Sequence, residues 1–290
     1  MSSLPNYLIL VQPAGFDMKR NSIPEKESFS VVSYNILATA YIEPARYSRT
    51  PSLMLNPTWR TPAVVGYVAA LGDDIICLQE VEIDMFSALR IRLASLGYGS
   101  QYARKQAQKP DGCATFYRLD RFELVDANII VYADGQSAER NSGNIALVAV
   151  LSARGRDIGI INTHLSWDPP EVPLEARLGY RQIVQLLREY KEMEKKLQSW
   201  VIAGDFNLTP DSATLALAVN GGLDFAHRGF PGVYTCVSIE GARMIDYLFY
   251  SGTLQTEALP LPRIDDRTVL PSAEQPSDHL PVRARFSWRH

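Results

Sequence analysis

The stretch Trp200-Val201-Ile202-Ala203-Gly204-Asp205-Phe206-Asn207-Leu208-Thr209-Pro210-Asp211-Ser212 constrains the fold more than any other part of the chain. Four apolar residues bounded by Gly204 read as a strand buried on both faces, as in a sheet covered by helices. Such a strand delivers the residues after it to the carboxyl edge of an α/β sheet, where ligands bind. Asp205 and Asn207 are two apart, so on a chain still extended they point the same way while Phe206 turns back into the core. One anionic and one neutral oxygen aimed at one spot suit a hard cation and a phosphate; a capped turn after a strand is the other reading. Pro210-Asp211-Ser212 opens a helix over 211–220, closed by Gly221-Gly222.

The same punctuation predicts strands at 29–37, 75–80, 99–104, 113–118, 122–132, 144–151, 157–162, 244–250 and 282–286, with a hairpin around 153–156. Helices are expected at 61–71, where Thr61-Pro62 supplies a cap and a first-turn proline, at 84–96, and at 174–197, whose charged end reads as a solvated face. Strands in two groups, each followed by helices, predict an α/β fold of two packed mixed β-sheets with helices outside. At 290 residues the chain suits one catalytic domain over 28–290. Residues 1–27, with Pro5, Pro13 and Pro24, read as an irregular N-terminal arm. Residues 41–60 are proline-rich with arginines and aromatics, either a solvated connection or a loop lying over a site.

Charge and cysteine usage narrow the function. A net charge of −3 excludes a protein that coats nucleic acid by bulk electrostatics, so any nucleic-acid contact is local. Cys77, Cys113 and Cys236 are far apart and odd in number, which predicts free buried thiols, a reducing compartment and a cytoplasmic location. No CxxC or His-rich spacing suggests zinc. No segment approaches the roughly 18 apolar residues of a membrane span, and no secretory signal is read at the N-terminus.

Six strand-end or loop segments carry groups able to hold a metal or a phosphate: Asn35; Gln79-Glu80; Asn162-Thr163-His164; Asp205 with Asn207; Asp246; and Ser277-Asp278-His279. Each also has a structural reading. Asn35 could satisfy a strand end, His164 could be a bonded core histidine, and Asp246 could pair with Arg243. Glu80, ending an apolar run, is harder to excuse because an unpaired buried carboxylate is costly, so it is expected to meet a cation. Carboxylates and amides without thiolates favour magnesium or manganese, and adjacent histidines bind or protonate phosphate oxygens. The combination reads as metal-assisted phosphoester hydrolysis.

The ordered set Ser33-Tyr34-Asn35-Ile36-Leu37-Ala38, Leu78-Gln79-Glu80-Val81, Lys109-Pro110-Asp111-Gly112-Cys113-Ala114-Thr115-Phe116-Tyr117, Asn162-Thr163-His164-Leu165-Ser166-Trp167-Asp168-Pro169, Gly204-Asp205-Phe206-Asn207, Ile245-Asp246-Tyr247 and Pro276-Ser277-Asp278-His279 resembles the endonuclease/exonuclease/phosphatase superfamily. It looks most like the branch of carbon-catabolite-repressor-type deadenylases and nocturnin. The resemblance implies a four-layer α/β sandwich with a Mg²⁺ site (Mn²⁺ the alternative) at one edge of the sheets. It implies Glu80 as principal metal ligand with Asn35, Asp205 and Asp278 beside it. Asp205 would also position or deprotonate the attacking water, Asn207 would steady the phosphate, and His279, oriented by Asp246, would contact it. His164 completes the ring, and Lys109, Trp167, Pro169 and Asn207 make up the implied substrate-binding set.

Two departures stand out. Equal spacing puts Ile239 where the branch's deadenylases carry a stacking Phe, and the leucine-rich-repeat adaptor segment of some members is absent, which predicts a stand-alone enzyme. The leading expectation is a Mg-dependent 3′-to-5′ exoribonuclease acting on single-stranded RNA and releasing 5′-mononucleotides. The alternative is a phosphatase or phosphodiesterase of a small nucleotide (NADPH 2′-phosphate or 2′,5′-oligoadenylate), and a catalytically silent binding module is the third. Trp167 is read either as a base-stacking surface or as a core residue.

Overall fold

Two sheets stack face to face in the computed structural model, which describes residues 8–11, 28–135, 137 and 140–289. The order is β1 (Leu8–Val11), β2 (Ser28–Asn35), α1 (Ser52–Leu55), α2 (Pro57–Leu71), β3 (Ile75–Glu82), α3 (Ile83–Ala94), β4 (Tyr98–Arg104), β5 (Asp111–Arg118), β6 (Glu123–Val131), β7 (Ile145–Ala153) and β8 (Arg156–His164). Then come α4 (Leu178–Glu194), β9 (Trp200–Asp205), α5 (Ala213–Asn220), β10 (Leu223–Phe225), β11 (Cys236–Ser238), β12 (Gly241–Arg243), β13 (Asp246–Ser251), β14 (Leu254–Ala258) and β15 (Val282–Trp288). One sheet runs β1-β4-β5-β3-β2-β15-β14, the other β10-β13-β9-β8-β7-β6, and β11-β12 form a small ribbon. Both sheets are mixed, with parallel pairs β2-β3 and β8-β9. Parallel neighbours need a crossover, which α2 and α4 provide.

The residue pattern explains the layers. β9 is buried along its whole length, as its apolar run demands. Val201 and Ala203 face the other sheet among Phe29, Val31, Ile75 and Val282. Trp200, Ile202 and the following Phe206 lie with Ile183, Leu186 and Tyr190 of α4 and Leu215 of α5. On the other flank Val64, Val68, Phe86 and Leu89 of α2 and α3 cover Val32, Ile76 and Leu78. The result is helices, sheet, sheet, helices, the four-layer sandwich. A Cβ at Gly204 would run into the carbonyl oxygen of Thr163, so only glycine lets β8 and β9 approach there.

Several elements differ from expectation. Leu8–Val11, read as irregular, adds an antiparallel edge strand to β4; the rest of residues 1–27 lies outside the described residues. α2 starts four residues earlier than expected because Asn56 caps it through Thr58 N, with Pro57 in its first turn and Pro62 inside it. α4 begins at Leu178, since Leu174–Ala176 is a separate 3₁₀ turn and the Asp168 carboxylate accepts hydrogen bonds from Leu178 N and Gly179 N.

The 41–60 segment is no solvated connection. Arg49 donates to the carbonyls of Asp266, Arg267 and Thr268, and Thr50 to those of Leu270 and Pro271. Arg60, fully buried, donates to the carbonyls of Ile36, Leu37 and Pro276, tying α2 to two strand-end loops. Arg60→Met should therefore lower stability by about 3 kcal/mol, because three charge-assisted bonds are lost and buried carbonyls are left unpaired. Denaturant unfolding measures it, and an unchanged midpoint would contradict the assigned role.

Candidate active site

Strand register gathers the candidate residues at one end of the sandwich. His164 of β8 pairs with Asp205 of β9, and Asp205 pairs with Asp246 of β13, so three chemistry-bearing side chains stand in one row. In the facing sheet Asn35 pairs with Gln79, and Glu80 follows. A bulge between Leu78 and Val81 takes Glu80 out of the ladder with φ +57°, a left-handed conformation that a non-glycine residue keeps only where its surroundings enforce it. Asn207 also has positive φ (+53°), so the chain is not extended past Asp205 as the spacing had suggested. Asn tolerates that conformation better than most residues.

Asn35 bridges the two sheets. Its Nδ2 donates to Glu80 Oε1 at 2.9 Å and to Asp205 Oδ2 at 3.0 Å. The other Glu80 oxygen accepts from Ala38 N at 2.8 Å. Asp205 Oδ1 accepts from Asn207 N at 2.9 Å, fixing the carboxylate. His279 Nδ1 lies 2.9 Å from Asp246 Oδ2 and 3.1 Å from Oδ1, and Thr235 Oγ1 donates to Asp246 Oδ2 at 2.6 Å. Asp246 is therefore a partner of His279; Arg243 pairs with Glu240 instead. The free Nε2 of His279 comes within 3.8 Å of Asp205 Oδ2. His164 Nε2 lies 3.5 Å from the same oxygen and 3.2 Å from Asn207 Nδ2, and its Nδ1 is 3.3 Å from Lys105 Nζ.

These groups open into a cleft of about 270 Å³ whose walls include Glu80, His164, Asp205, Asn207, Asp278 and His279, with Trp167, Ile239, Arg46 and Arg243 around them. Trp167 is 46% and Ile239 70% exposed, so Trp167 is not a core residue. Asp278 is reached by Tyr47, whose hydroxyl donates to Oδ2 at 2.9 Å. Two expected substrate-binding residues are not on these walls. Lys109 Nζ donates to Asn144 Oδ1 at 2.7 Å, and the Pro169 carbonyl accepts from Val172 N in a turn. The cation beside His164 is Lys105, held by buried Asp111 at 2.7 Å, which also accepts from Tyr41. Sequence reading had Arg46 and Tyr47 only as part of a loop that could lie over a site, and it missed Lys105. A lysine at the end of an expected strand was the only signal for Lys105.

Electrostatics of the site are those of crowded acids. Burial, then the nearby Asp278 charge, pushes the Glu80 carboxyl up. Burial and the Asp246 charge raise Asp205 to about 7. Burial opposes charge on His279, but Asp246 outweighs it and holds the imidazole well above its ordinary value. His164 is driven well below its own by burial and then by Lys105. Asp205, Asp246 and His279 each offer a ligand atom within 4.8 Å of the others. Since His279 and Asp246 are already committed to one another, the Glu80–Asp205–Asp278 side is the better fit for a hard divalent cation. Its donors are carboxylate oxygens, and the raised carboxyls of Glu80 and Asp205 register a shortage of positive charge that such an ion relieves.

Stability should follow. Acids with raised folded values bind protons more readily folded than unfolded, so stability falls as pH rises from near 4 through about 7. The raised His279 acts in the same direction, its contribution being present below its unfolded value and lost as pH rises through its folded one, while the depressed His164 opposes them only below its own unfolded value. The melting temperature without divalent cations should be lower at pH 8 than at pH 5.5, and Mg²⁺ should raise it more at pH 8. An equal Mg²⁺ effect at both pH values would refute the carboxylate assignment.

Comparison with known proteins gives a consistent placement. A model of the Endonuclease/Exonuclease/phosphatase family matches residues 32–279. The chain is 28% identical to the CCR4-Not complex 3′-5′-exoribonuclease subunit Ccr4 of Debaryomyces hansenii, over 94% of this chain and 41% of that protein. It is 31% identical to protein angel homolog 2 of Homo sapiens, over 74% of this chain and 41% of that protein. The chain thus spans well under two thirds of either relative's length. Among solved structures, ANGEL2, a 2′,3′-cyclic phosphatase, in complex with adenosine-2′,3′-vanadate superposes with a TM-score of 0.77 at 25% identity, covering 90% of this chain and 96% of that one. The human nocturnin catalytic domain gives 0.70 at 25% identity, covering 90% and 94%. The chain belongs to the Endonuclease/Exonuclease/phosphatase family, on the branch of Ccr4 and nocturnin.

Proposed function

We propose that the protein is a magnesium-dependent phosphodiesterase that removes nucleotides from the 3′ end of single-stranded RNA and releases 5′-mononucleotides. The observation that carries the choice of substrate is Trp167. Nearly half of its surface is open, on the wall of the cleft that holds His279 and Asp205, and an exposed indole there is a surface for a base. The 3′-5′-exoribonuclease activity in the name of the Ccr4 relative supports the same reading.

In this reading Glu80 and Asp205, with Asn35 between them and Asp278 opposite, hold the cation. Bound there, a Mg²⁺ or Mn²⁺ ion supplies Lewis-acid charge to the phosphoryl oxygens. Asp205, whose Oδ1 is fixed by Asn207 N and whose Oδ2 faces both histidines, accepts the proton of the attacking water. His279, positively charged and held by Asp246, donates from Nε2 to a phosphoryl oxygen as negative charge develops. His164, kept neutral by burial and then by Lys105, orders Asn207, which steadies the phosphate. As the water oxygen bonds to phosphorus, the bond from phosphorus to the 3′-oxygen of the preceding nucleotide breaks, and that oxygen takes a proton from solvent to leave as the 3′-hydroxyl of the shortened RNA. The three cysteines are free and buried, in keeping with work in a reducing compartment such as the cytoplasm.

End-labelled RNA, DNA, NADPH and an RNA ending in a 2′,3′-cyclic phosphate, each incubated with Mg²⁺, test the proposal. A ladder of shortened RNA with 5′-mononucleotides is expected. Trp167→Ala should lower kcat/KM on RNA by about 5- to 100-fold, the equivalent of one lost stacking contact, with less effect on a small phosphodiester. The second reading, a small-nucleotide phosphatase, has support in the likeness to ANGEL2. Opening of the cyclic phosphate without shortening would select it.

A further inference from the structure

We propose that Arg46 and Arg243 form an anion subsite at the mouth of the cleft, and that it takes the phosphate one linkage upstream of the scissile one. The identity of the anion rests on the RNA reading above; the subsite itself rests on the following geometry.

The cleft floor carries Glu80, Asp205 and Asp278, and the chain as a whole is negative, so a polyanionic strand is repelled unless cations stand nearby. The guanidinium groups on the cleft wall are those of Arg46 and Arg243. They arrive from segments nearly 200 residues apart in sequence and meet around Ser238. Arg243 Nη2 donates to Ser238 Oγ at 3.1 Å, and Ser238 lines both the main cleft and a side cavity of about 40 Å³ that Arg46 also lines. The Arg46 segment is anchored to the floor, because its chain neighbour Tyr47 donates to Asp278.

Among the described residues, both arginine side chains are held only by residues within five positions in sequence. Arg46 pairs at 3.3 Å with Glu43, three residues away, both side chains more than half exposed. Arg243 pairs with Glu240, also three residues away, and its Nε–H is buried without a hydrogen-bond partner. The solvated Arg46 pair contributes little and the Arg243 pair, its side chains 24% and 45% exposed, is a local one, whereas a phosphate can satisfy a guanidinium fork with two parallel charge-assisted bonds. The two glutamates thus act as stand-ins that a substrate phosphate displaces. Ile239, beside Glu240 on the ribbon, and Trp167 offer the neighbouring apolar surface for a base.

The test uses a 5′-fluorescein triribonucleotide, natural or with an uncharged methylphosphonate at the linkage next to the 3′-terminal one, with binding read by anisotropy in EDTA. The wild type is expected to bind the natural RNA at least tenfold more tightly than the methylphosphonate RNA. Arg46→Ala/Arg243→Ala should bind both as weakly as the wild type binds the methylphosphonate, with a salt slope shallower by about 0.7 for the lost phosphate contact. Arg46→Lys/Arg243→Lys should fall between, since the charge remains and the fork is lost. Undiminished binding of natural RNA by the alanine variant overturns the proposal. So does an arginine effect as large on the methylphosphonate RNA as on the natural one, or no measurable binding by the wild type. Shortening of the natural RNA by the wild type in Mg²⁺ is scored separately and bears on the exoribonuclease reading alone.

Discussion

Glu80→Gln should lower kcat by on the order of 10³ while leaving the fold intact, the several kcal/mol that a Lewis acid supplies to a phosphoryl transition state. The substitution keeps length and shape. Glutamine can still accept from Asn35 Nδ2 through its carbonyl oxygen, and it loses only the acceptor for Ala38 N. Because burial and Asp278 disfavour charge on Glu80, removing that charge should cost little stability. Without divalent cations the melting temperature is therefore expected within about 3 °C of the wild type, roughly 1 kcal/mol for a chain this size. The diagnostic reading is the second melt: Mg²⁺ should stabilise the wild type and no longer stabilise the variant. A variant still protected by Mg²⁺ would move the principal ligand elsewhere, and one fully active in Mg²⁺ would remove Glu80 from the mechanism.

The strand ends of this site were legible because the apolar runs before them are unambiguous. Val31-Val32 before Asn35, Ile75-Ile76 before Glu80 and Val201-Ile202 before Asp205 can only be buried strands, and parallel pairing then aligns their carboxyl ends. Backbone geometry at the same positions was not legible. Alternation says nothing of the bulge at Leu78/Val81, and an extended reading of Asp205-Phe206-Asn207 gives Asn207 the wrong dihedral while still placing it at the cleft. The remaining gaps are contacts across long sequence separation. Tyr47 meets Asp278 over 231 residues, and Arg60 meets Pro276 over 216, so nothing local to 41–60 distinguishes a clasp from a loop. The lysines illustrate a finer limit. Lys105 and Lys109 flank one hairpin tip; pairing of Arg104 with Gly112 turns Lys105 towards Asp111 and His164 and leaves Lys109 to Asn144.

Asp246→Asn should reduce kcat by two to four orders of magnitude with KM nearly unchanged. Both Asp246 oxygens face His279 Nδ1, and Thr235 Oγ1 already donates to Oδ2. An asparagine here must either turn its amide nitrogen towards Thr235, which loses that bond, or towards Nδ1, which forces the imidazole to become the acceptor and moves its proton to Nε2. Either way the charge that does most to hold His279 protonated is gone, and its folded value should drop towards or below the ordinary histidine range. A neutral imidazole contributes little to a phosphoryl oxygen gathering negative charge, so the loss falls on the transition state and shows in kcat. The same change alters the pH profile: the alkaline limb should move to lower pH in Asp246→Asn, because the proton it reports is held less tightly. Folding is a separate matter, since burying an amide in place of a bonded carboxylate is tolerated only while Thr235 stays paired. Thr235→Val provides the control, as it removes the Thr235 bond but keeps the Asp246 charge. It should lower stability and leave most of kcat. A kcat loss in Thr235→Val as large as that in Asp246→Asn would assign the effect to packing, and a change confined to KM would place Asp246 in substrate binding instead.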